Sequence, residues 1–184
     1  ISNTLNKIYK KKVLSLSIDD YYLSKNQRLI LSKNKNKLLI TRGVPGTHNI
    51  KKLINDIKKF DKSKFPIKTP LFDKLIDDVL KEKKTFKTKA DILILEGWCC
   101  GCDEISIEYL YQNINELEKN YDYDYSWRNY YNYKLKNEYK NLFNLFDLSI
   151  FMKAPSFRYV FDWRYKQEIK NNSKNKNFKK MNTD

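Results

Sequence analysis

Asp91-Ile92-Leu93-Ile94-Leu95-Glu96-Gly97 is a run of four apolar residues, two of them β-branched, closed by an acid and a glycine. So short a run cannot make a useful helix and has no polar side to turn to water, so it predicts a strand buried in a sheet. Two other stretches read the same way. Val13 to Ile18 stops at Asp19-Asp20, and Leu148 to Met152 stops near Lys153-Ala154-Pro155. Between the strands the 3.6-residue period predicts helices, one through Ile50, Leu53, Ile54, Ile57 and Phe60 and another through Tyr139, Leu142, Phe143 and Phe146. Strands separated by helices predict an α/β fold, with a parallel sheet flanked by helices.

Ligands of such sheets bind beyond the carboxyl ends of the strands, which directs attention to Asp19, Asp20 and Glu96. A carboxylate there can hold Mg²⁺ or take a proton from a hydroxyl that attacks phosphorus. Asp pairs also cap helices and start turns, and an acid can simply end a strand. Ahead of the first helical pattern, Thr41-Arg42-Gly43-Val44-Pro45-Gly46-Thr47-His48-Asn49 combines two glycines, a proline, a guanidinium and the sole histidine. Glycine and proline allow a tight turn with exposed N–H groups, and Arg42 can grip a carboxylate with two parallel bonds. Thr47 or Asn49 as a plain N-cap is the competing reading.

The 184 residues, 22.2 kDa and 41% hydrophobic, suffice for one globular domain. No apolar run approaches the roughly 18 residues of a membrane span, and Ile1 to Lys12 lacks a signal-peptide core, so a soluble, cytoplasmic protein without a membrane partner is expected. The formal charge of +15 raises nucleic acid as a partner. Of the 37 basic residues, however, only Arg28, Arg42, Arg128, Arg158 and Arg164 are arginine, and the lysines are scattered among Asn and Ile. That distribution describes a solvated surface, and no nucleic-acid partner is expected. Cys99, Cys100 and Cys102 lie too close together for a disulfide framework and, with one histidine, do not complete a structural zinc site. They read as small residues packed behind a strand, with a reactive thiol as the alternative. Trp127, Tyr130 and Tyr131 are expected to begin the helix that runs to Phe146, and the tail from Asn171 to Lys180 reads as a mobile, solvated segment.

Six motifs follow one another along the chain: Ser15-Leu-Ser-Ile-Asp-Asp-Tyr-Tyr-Leu23; Arg42-Gly-Val-Pro-Gly-Thr-His48; Pro70-Leu-Phe-Asp-Lys74 with Asp77-Asp78; Glu96-Gly-Trp-Cys99 with Gly101; Asn115-Glu-Leu-Glu118; and Ala154-Pro-Ser-Phe157 with Trp163-Arg164 and Gln167-Glu168. The series resembles the bacterial D-glycerate 3-kinase-like family, relatives of uridine kinase, phosphoribulokinase and pantothenate kinase. The resemblance implies a P-loop α/β kinase with a partial helical lid that moves the γ-phosphoryl of MgATP to a small hydroxy acid, D-glycerate being the family assignment. It implies ATP and Mg²⁺ as cofactors. Asp19 matches the general base, with Asp20 as the alternative, and Glu96 matches the acid beside Mg²⁺, which Asp19 could also ligate. Arg42, Gly43, Gly46, Thr47 and His48 match the substrate loop, and Asp73 and Lys74 a second segment near the substrate. Arg164 matches the lid arginine that neutralises charge on the transferring phosphoryl.

Three departures bear on the substrate: Asn49 where relatives have Asp, Val79 where they tend to have Arg, and Arg158 where an acid is common. The phosphate-binding pattern G-x-x-x-x-G-K-[ST] does not occur in these residues, and Lys10-Lys11-Lys12 lacks the glycines to replace it. It is expected on the strand before Val13. The start at Ile1 and the end at Asp184 are accordingly read as cuts, and residues 1–184 as a single P-loop kinase domain lacking its first strand and phosphate loop, inactive by itself. A nucleoside or uridine kinase, a pantothenate kinase and a non-catalytic relative are the rivals within the class. An RNA-binding module would need exposed aromatics beside a lysine stripe, whereas the aromatics fall mostly at core-compatible spacings.

Overall fold

The computed structural model describes residues 1–172, so most of the tail expected to be mobile lies outside the described residues. It divides into two units, Ile1–Asp147 and the stretch from Leu148 onward. The first is mixed α/β. Helix α1 (Ser2–Tyr9) leads into β1 (Val13–Ser17), a 3₁₀ turn (Ile18–Tyr21) and α2 (Lys25–Asn34). After a 3₁₀ turn (Lys37–Ile40) come α3 (Ile50–Asp61), the short strands β2 (Ile67–Thr69), β3 (Phe72–Asp73), β4 (Asp78–Val79) and β5 (Lys84–Phe86), and then β6 (Ile92–Glu96). The unit closes with α4 (Ile107–Leu110), α5 (Glu116–Tyr121), α6 (Ser126–Lys134), a π-helical turn (Leu135–Tyr139) and α7 (Lys140–Phe143).

The two predicted strands are parallel neighbours, with Leu14 opposite Leu93, Leu16 opposite Leu95 and Ser17 opposite Glu96. β1 alternates, however: Leu14 and Leu16 are buried, while Val13, Ser15 and Ser17 are half-buried. The serines interrupt the apolar run, and one of them, Ser15, meets Ser2 of α1 across a 2.8 Å hydroxyl contact. Leu14, Leu16 and Ile18 join Ile50, Leu53 and Ile57 of α3 and Leu135, Tyr139 and Leu142 of the last helix in one core. That packing is why the 3.6 period was legible; the second helix, expected to run to Phe146, is interrupted by the π turn and ends at Phe143. Asn49 caps α3 by accepting from the Lys52 N–H (3.0 Å), and the buried Asp56 on α3 accepts from Tyr21 (3.0 Å), tying the turn after β1 to the helix.

The expected broad parallel sheet is represented, among the described residues, by this one pair; β2–β5 and β3–β4 are antiparallel ribbons. Leu148 to Met152, expected as a third buried strand, is irregular, and Leu148, Ile150, Phe151 and Met152 are exposed. A strand needs a hydrogen-bonded neighbour and a covered face, and this run pairs with no strand among the described residues. The second unit then forms α8 (Phe157–Asn172).

Candidate active site

β1 and β6 end level with one another, and their acids leave the sheet at one edge. Ile18, fully buried, anchors the turn, so Asp19 and Asp20 project from a backbone that cannot drift. Gly97 makes the matching approach from β6: a Cβ there would lie 2.2 Å from the Ile18 side chain. Only glycine lets the chain after Glu96 pass so close to a buried neighbour.

The two aspartates differ in environment. Asp19 Oδ2 pairs with Lys74 Nζ at 2.5 Å, while its Oδ1 is buried and makes no hydrogen bond within the protein. Asp20 Oδ1 accepts from the Phe72 N–H (3.3 Å). Burial raises the Asp20 pKa above the usual carboxylate value, the Phe72 N–H and Lys84 oppose that, and the charges of Asp19 and Glu96 add to it. Glu96 itself is exposed. Asp73 turns inward on its own hairpin, accepting from the Leu75 N–H (2.8 Å).

The loop carrying Arg42, Gly43, Gly46, Thr47 and His48 is held from three sides. Trp98, just after β6, donates to the Gly43 carbonyl (3.1 Å). Tyr139 accepts from the Gly46 N–H (3.0 Å) and lies 2.5 Å from His48 Nδ1. Tyr22 stacks on His48 with ring centroids 4.3 Å apart. Within the loop, Thr47 donates to the Val44 carbonyl (2.7 Å) and accepts from the Gly43 N–H (3.1 Å). Gly46 has φ +96°, and a Cβ on it would sit 2.5 Å from the Tyr130 ring. His48 is 3% exposed, and its Nε2 makes no hydrogen bond within the protein. Burial holds its pKa down to about 4, against a smaller opposing pull from Asp19. Burial, then the Asp19 charge and a hydrogen bond with the Asp19 carboxylate, raise the Tyr22 phenol. Asp19, Tyr22 and His48 therefore share one electrostatic environment.

Arg42 reaches Asp77, which it shares with Arg28. Arg28 is fully buried and donates to the Ile40, Leu23 and Asp77 carbonyls (3.1, 3.1 and 2.9 Å) as well as to the Asp77 carboxylate (2.6 Å). Both guanidiniums lie 5.6 Å from the Phe72 ring centroid. Sequence reasoning missed Arg28, Asp77 and Tyr139 as parts of this assembly. A signal existed for the first: where lysine is the default cation, each arginine marks a place that needs a planar, multiply bonding group. Arg128 repeats the point, buried among Asp122, Glu118 and the Leu110 and Gln112 carbonyls.

Cys99 is buried, as the packing reading expects, but Cys100 is half-buried and Cys102 is exposed. Burial, then the neighbouring Cys100 and Cys102, pushes Cys99 up to about 12, and burial and Glu96 do the same for Cys100, so both stay protonated. Arg164 lies on α8 of the second unit and donates to Gln167 (3.1 Å). No helix among the described residues is long and apolar enough to cross a membrane.

No protein-family model matches the chain. It is 28% identical over 169 residues to the protein named Uncharacterized kinase mug58 from Schizosaccharomyces pombe, across 86% of this chain and 60% of that protein. It is 36% identical over 109 residues to Probable ATP-dependent kinase TDA10 from Saccharomyces cerevisiae, across 52% of this chain and 37% of that one. Among solved structures, D-glycerate 3-kinase from Cryptococcus neoformans superposes with a TM-score of 0.81 at 26% identity, over 98% of this chain and 66% of that chain. The chain thus spans less than two thirds of the length of each.

Proposed function

We propose that this chain, a homologue of D-glycerate 3-kinase and its P-loop kinase relatives, forms the acceptor-substrate side of an ATP-dependent kinase acting on a small hydroxy acid, D-glycerate being the first candidate. The observation that carries this reading is Asp19. It sits in the turn that follows a parallel strand pair, half-buried on β6 and alternately buried on β1, with one oxygen on Lys74 and the other buried and without a hydrogen bond of normal geometry, near His48 of the arginine-bearing loop. A buried acceptor without a donor costs stability unless something binds there, and a substrate hydroxyl supplies the missing proton donor.

In this reading the hydroxyl donates to Asp19 Oδ1 and its proton passes to the carboxylate as the oxygen bonds to the γ-phosphorus of ATP and the bond from that phosphorus to the ADP oxygen breaks, ADP being the leaving group. Lys74 holds Asp19 in place through its other oxygen. Asp20 is the alternative base. Arg42 grips the acid group of the substrate, and the loop's tight turn fixes where that group sits. Arg164 is assigned charge neutralisation at the transferring phosphoryl.

The donor set suits Mg²⁺, which prefers one or two carboxylates completed by water and phosphate oxygens. The exposed Glu96 would supply one; Asp19 would supply the other only in the alternative in which Asp20, not Asp19, is the base. Among the described residues no three His, Cys, Asp or Glu side chains form a metal site by themselves. Bound there, Mg²⁺ would neutralise phosphate charge. The residues of this chain do not include a phosphate-gripping loop.

The test is ADP release by the complete kinase against D-glycerate, pantothenate and uridine. Turnover with D-glycerate and none with the others is expected. Turnover with uridine or pantothenate alone would overturn the hydroxy-acid reading. The 184 residues alone are expected to release no glycerate-dependent ADP.

A further inference from the structure

Tyr139 lies in the core, fully buried, on the π-helical turn between α6 and α7. Its phenol oxygen has two partners, the Gly46 N–H at 3.0 Å and His48 Nδ1 at 2.5 Å. The Gly46 N–H is a donor and nothing else, so the phenol accepts from it. The phenol's own proton finds an acceptor in His48 Nδ1, the other partner of this oxygen, whereas a proton on Nδ1 would leave the phenol's proton without a partner among the described residues. A neutral imidazole that accepts at Nδ1 carries its proton at Nε2. That second nitrogen is buried and makes no hydrogen bond within the protein, and the one charged group that acts on the ring is Asp19.

We infer that Tyr139 is a positioning residue: the chain Gly46 N–H to Tyr139 to His48 locks His48 as its Nε2–H tautomer, a neutral donor aimed at a polar oxygen of the acceptor substrate. This rests on the hydroxy-acid kinase reading for the nature of the ligand, though not for the tautomer. A neutral donor suits an oxygen that carries no proton to give, such as a carboxylate oxygen of a hydroxy acid, without adding a charge beside Asp19. Tyr22 stacked on the ring at 4.3 Å leaves the imidazole edge, not its face, for the ligand. The π turn explains how a residue from the last helix arrives here. A single π turn shifts the helix face by an extra residue, and such turns recur at functional sites; this one brings both Leu135 and Tyr139 into the core.

His48 is the one histidine of the 184 residues, and in a ¹⁵N spectrum of the complete kinase its imidazole is the signal that disappears in His48→Gln. At neutral pH the expected spectrum shows a protonated Nε2 and an unprotonated Nδ1, with the Nε2 signal moving when D-glycerate is added. Tyr139→Phe is expected to release the lock, giving a mixed or reversed tautomer. In the active kinase it should raise the KM for the hydroxy acid about tenfold, the loss of roughly one neutral hydrogen bond, with the KM for ATP unchanged. His48→Gln carries an amide donor near the Nε2 position and needs no tautomer, so adding Tyr139→Phe to it should raise KM no further. A proton on Nδ1 in the unaltered protein, or a Tyr139→Phe spectrum identical to it, overturns the inference whatever the substrate. The expected tautomer, lost in Tyr139→Phe, with an Nε2 signal that uridine moves and D-glycerate does not, supports the lock and overturns the hydroxy-acid reading instead.

Discussion

Glu96 stands opposite Ser17 in the parallel ladder, two residues ahead of Asp19, so one sheet edge presents both carboxylates. The arrangement follows from the pairing: parallel strands in register deliver their following residues to the same side.

Changing Asp19 to Asn should lower kcat by about 10²- to 10⁴-fold with little change in the KM for ATP, because a base acts only as the transition state forms. Steady-state kinetics at several Mg²⁺ concentrations separate the two roles open to this carboxylate. Rescue by excess metal would make Asp19 a ligand and Asp20, whose pKa burial already raises, the base.

Arg42→Ala should mainly raise the KM for the acidic substrate, since a guanidinium on a carboxylate serves ground and transition states alike. The half-exposed Arg42–Asp77 pair should contribute under about 1 kcal/mol to folding, so the melting temperature should hardly move. An unchanged KM for glycerate would show that this loop does not hold the acid.

Arg28→Met should do the reverse. It strips three carbonyls of a buried donor and takes one of two guanidiniums from Asp77, which keeps Arg42, at a cost of about 1–3 kcal/mol for each carbonyl left buried without a partner. Urea unfolding measures it. A loss within experimental error would mean the hairpin of β3 and β4 closes without this residue.

Gly46→Ala puts a methyl group against the Tyr130 ring at a φ of +96°. Strain and overlap together should cost about 1–3 kcal/mol, and the displaced loop should weaken substrate binding as well. Wild-type stability and KM in this variant would contradict the close approach.

His48 makes stability depend on pH. Its folded pKa of about 4 lies below the ordinary 6.5, so between those values the unfolded chain binds a proton that the folded chain refuses. The contribution is complete above about pH 6.5 and is lost as pH falls toward 4, on the order of 3 kcal/mol in all. Asp20 acts in the opposite sense: its raised folded pKa favours the folded state as pH falls. Urea unfolding at pH 7 and pH 5 should show a smaller drop for His48→Gln than for the unaltered protein, and equal drops would exclude His48 as the source.

The sequence by itself determined the parallel pair, the two amphipathic helices and the edge where the acids gather, because each is a local pattern: an apolar run, a 3.6 period, an acid after a strand. It also marked the loop from Arg42 to His48, whose glycines and proline dictate their own turn. What only the tertiary structure decided is who meets whom. Nothing near Asp77 in the chain announces that two arginines, 35 and 49 residues away, will share its carboxylate, and nothing near Tyr139 announces a histidine 91 residues away. The failure at Leu148 to Met152 has the same origin. An apolar run specifies a strand only when a neighbour accepts its backbone hydrogen bonds, and that neighbour is a property of the fold, not of the run.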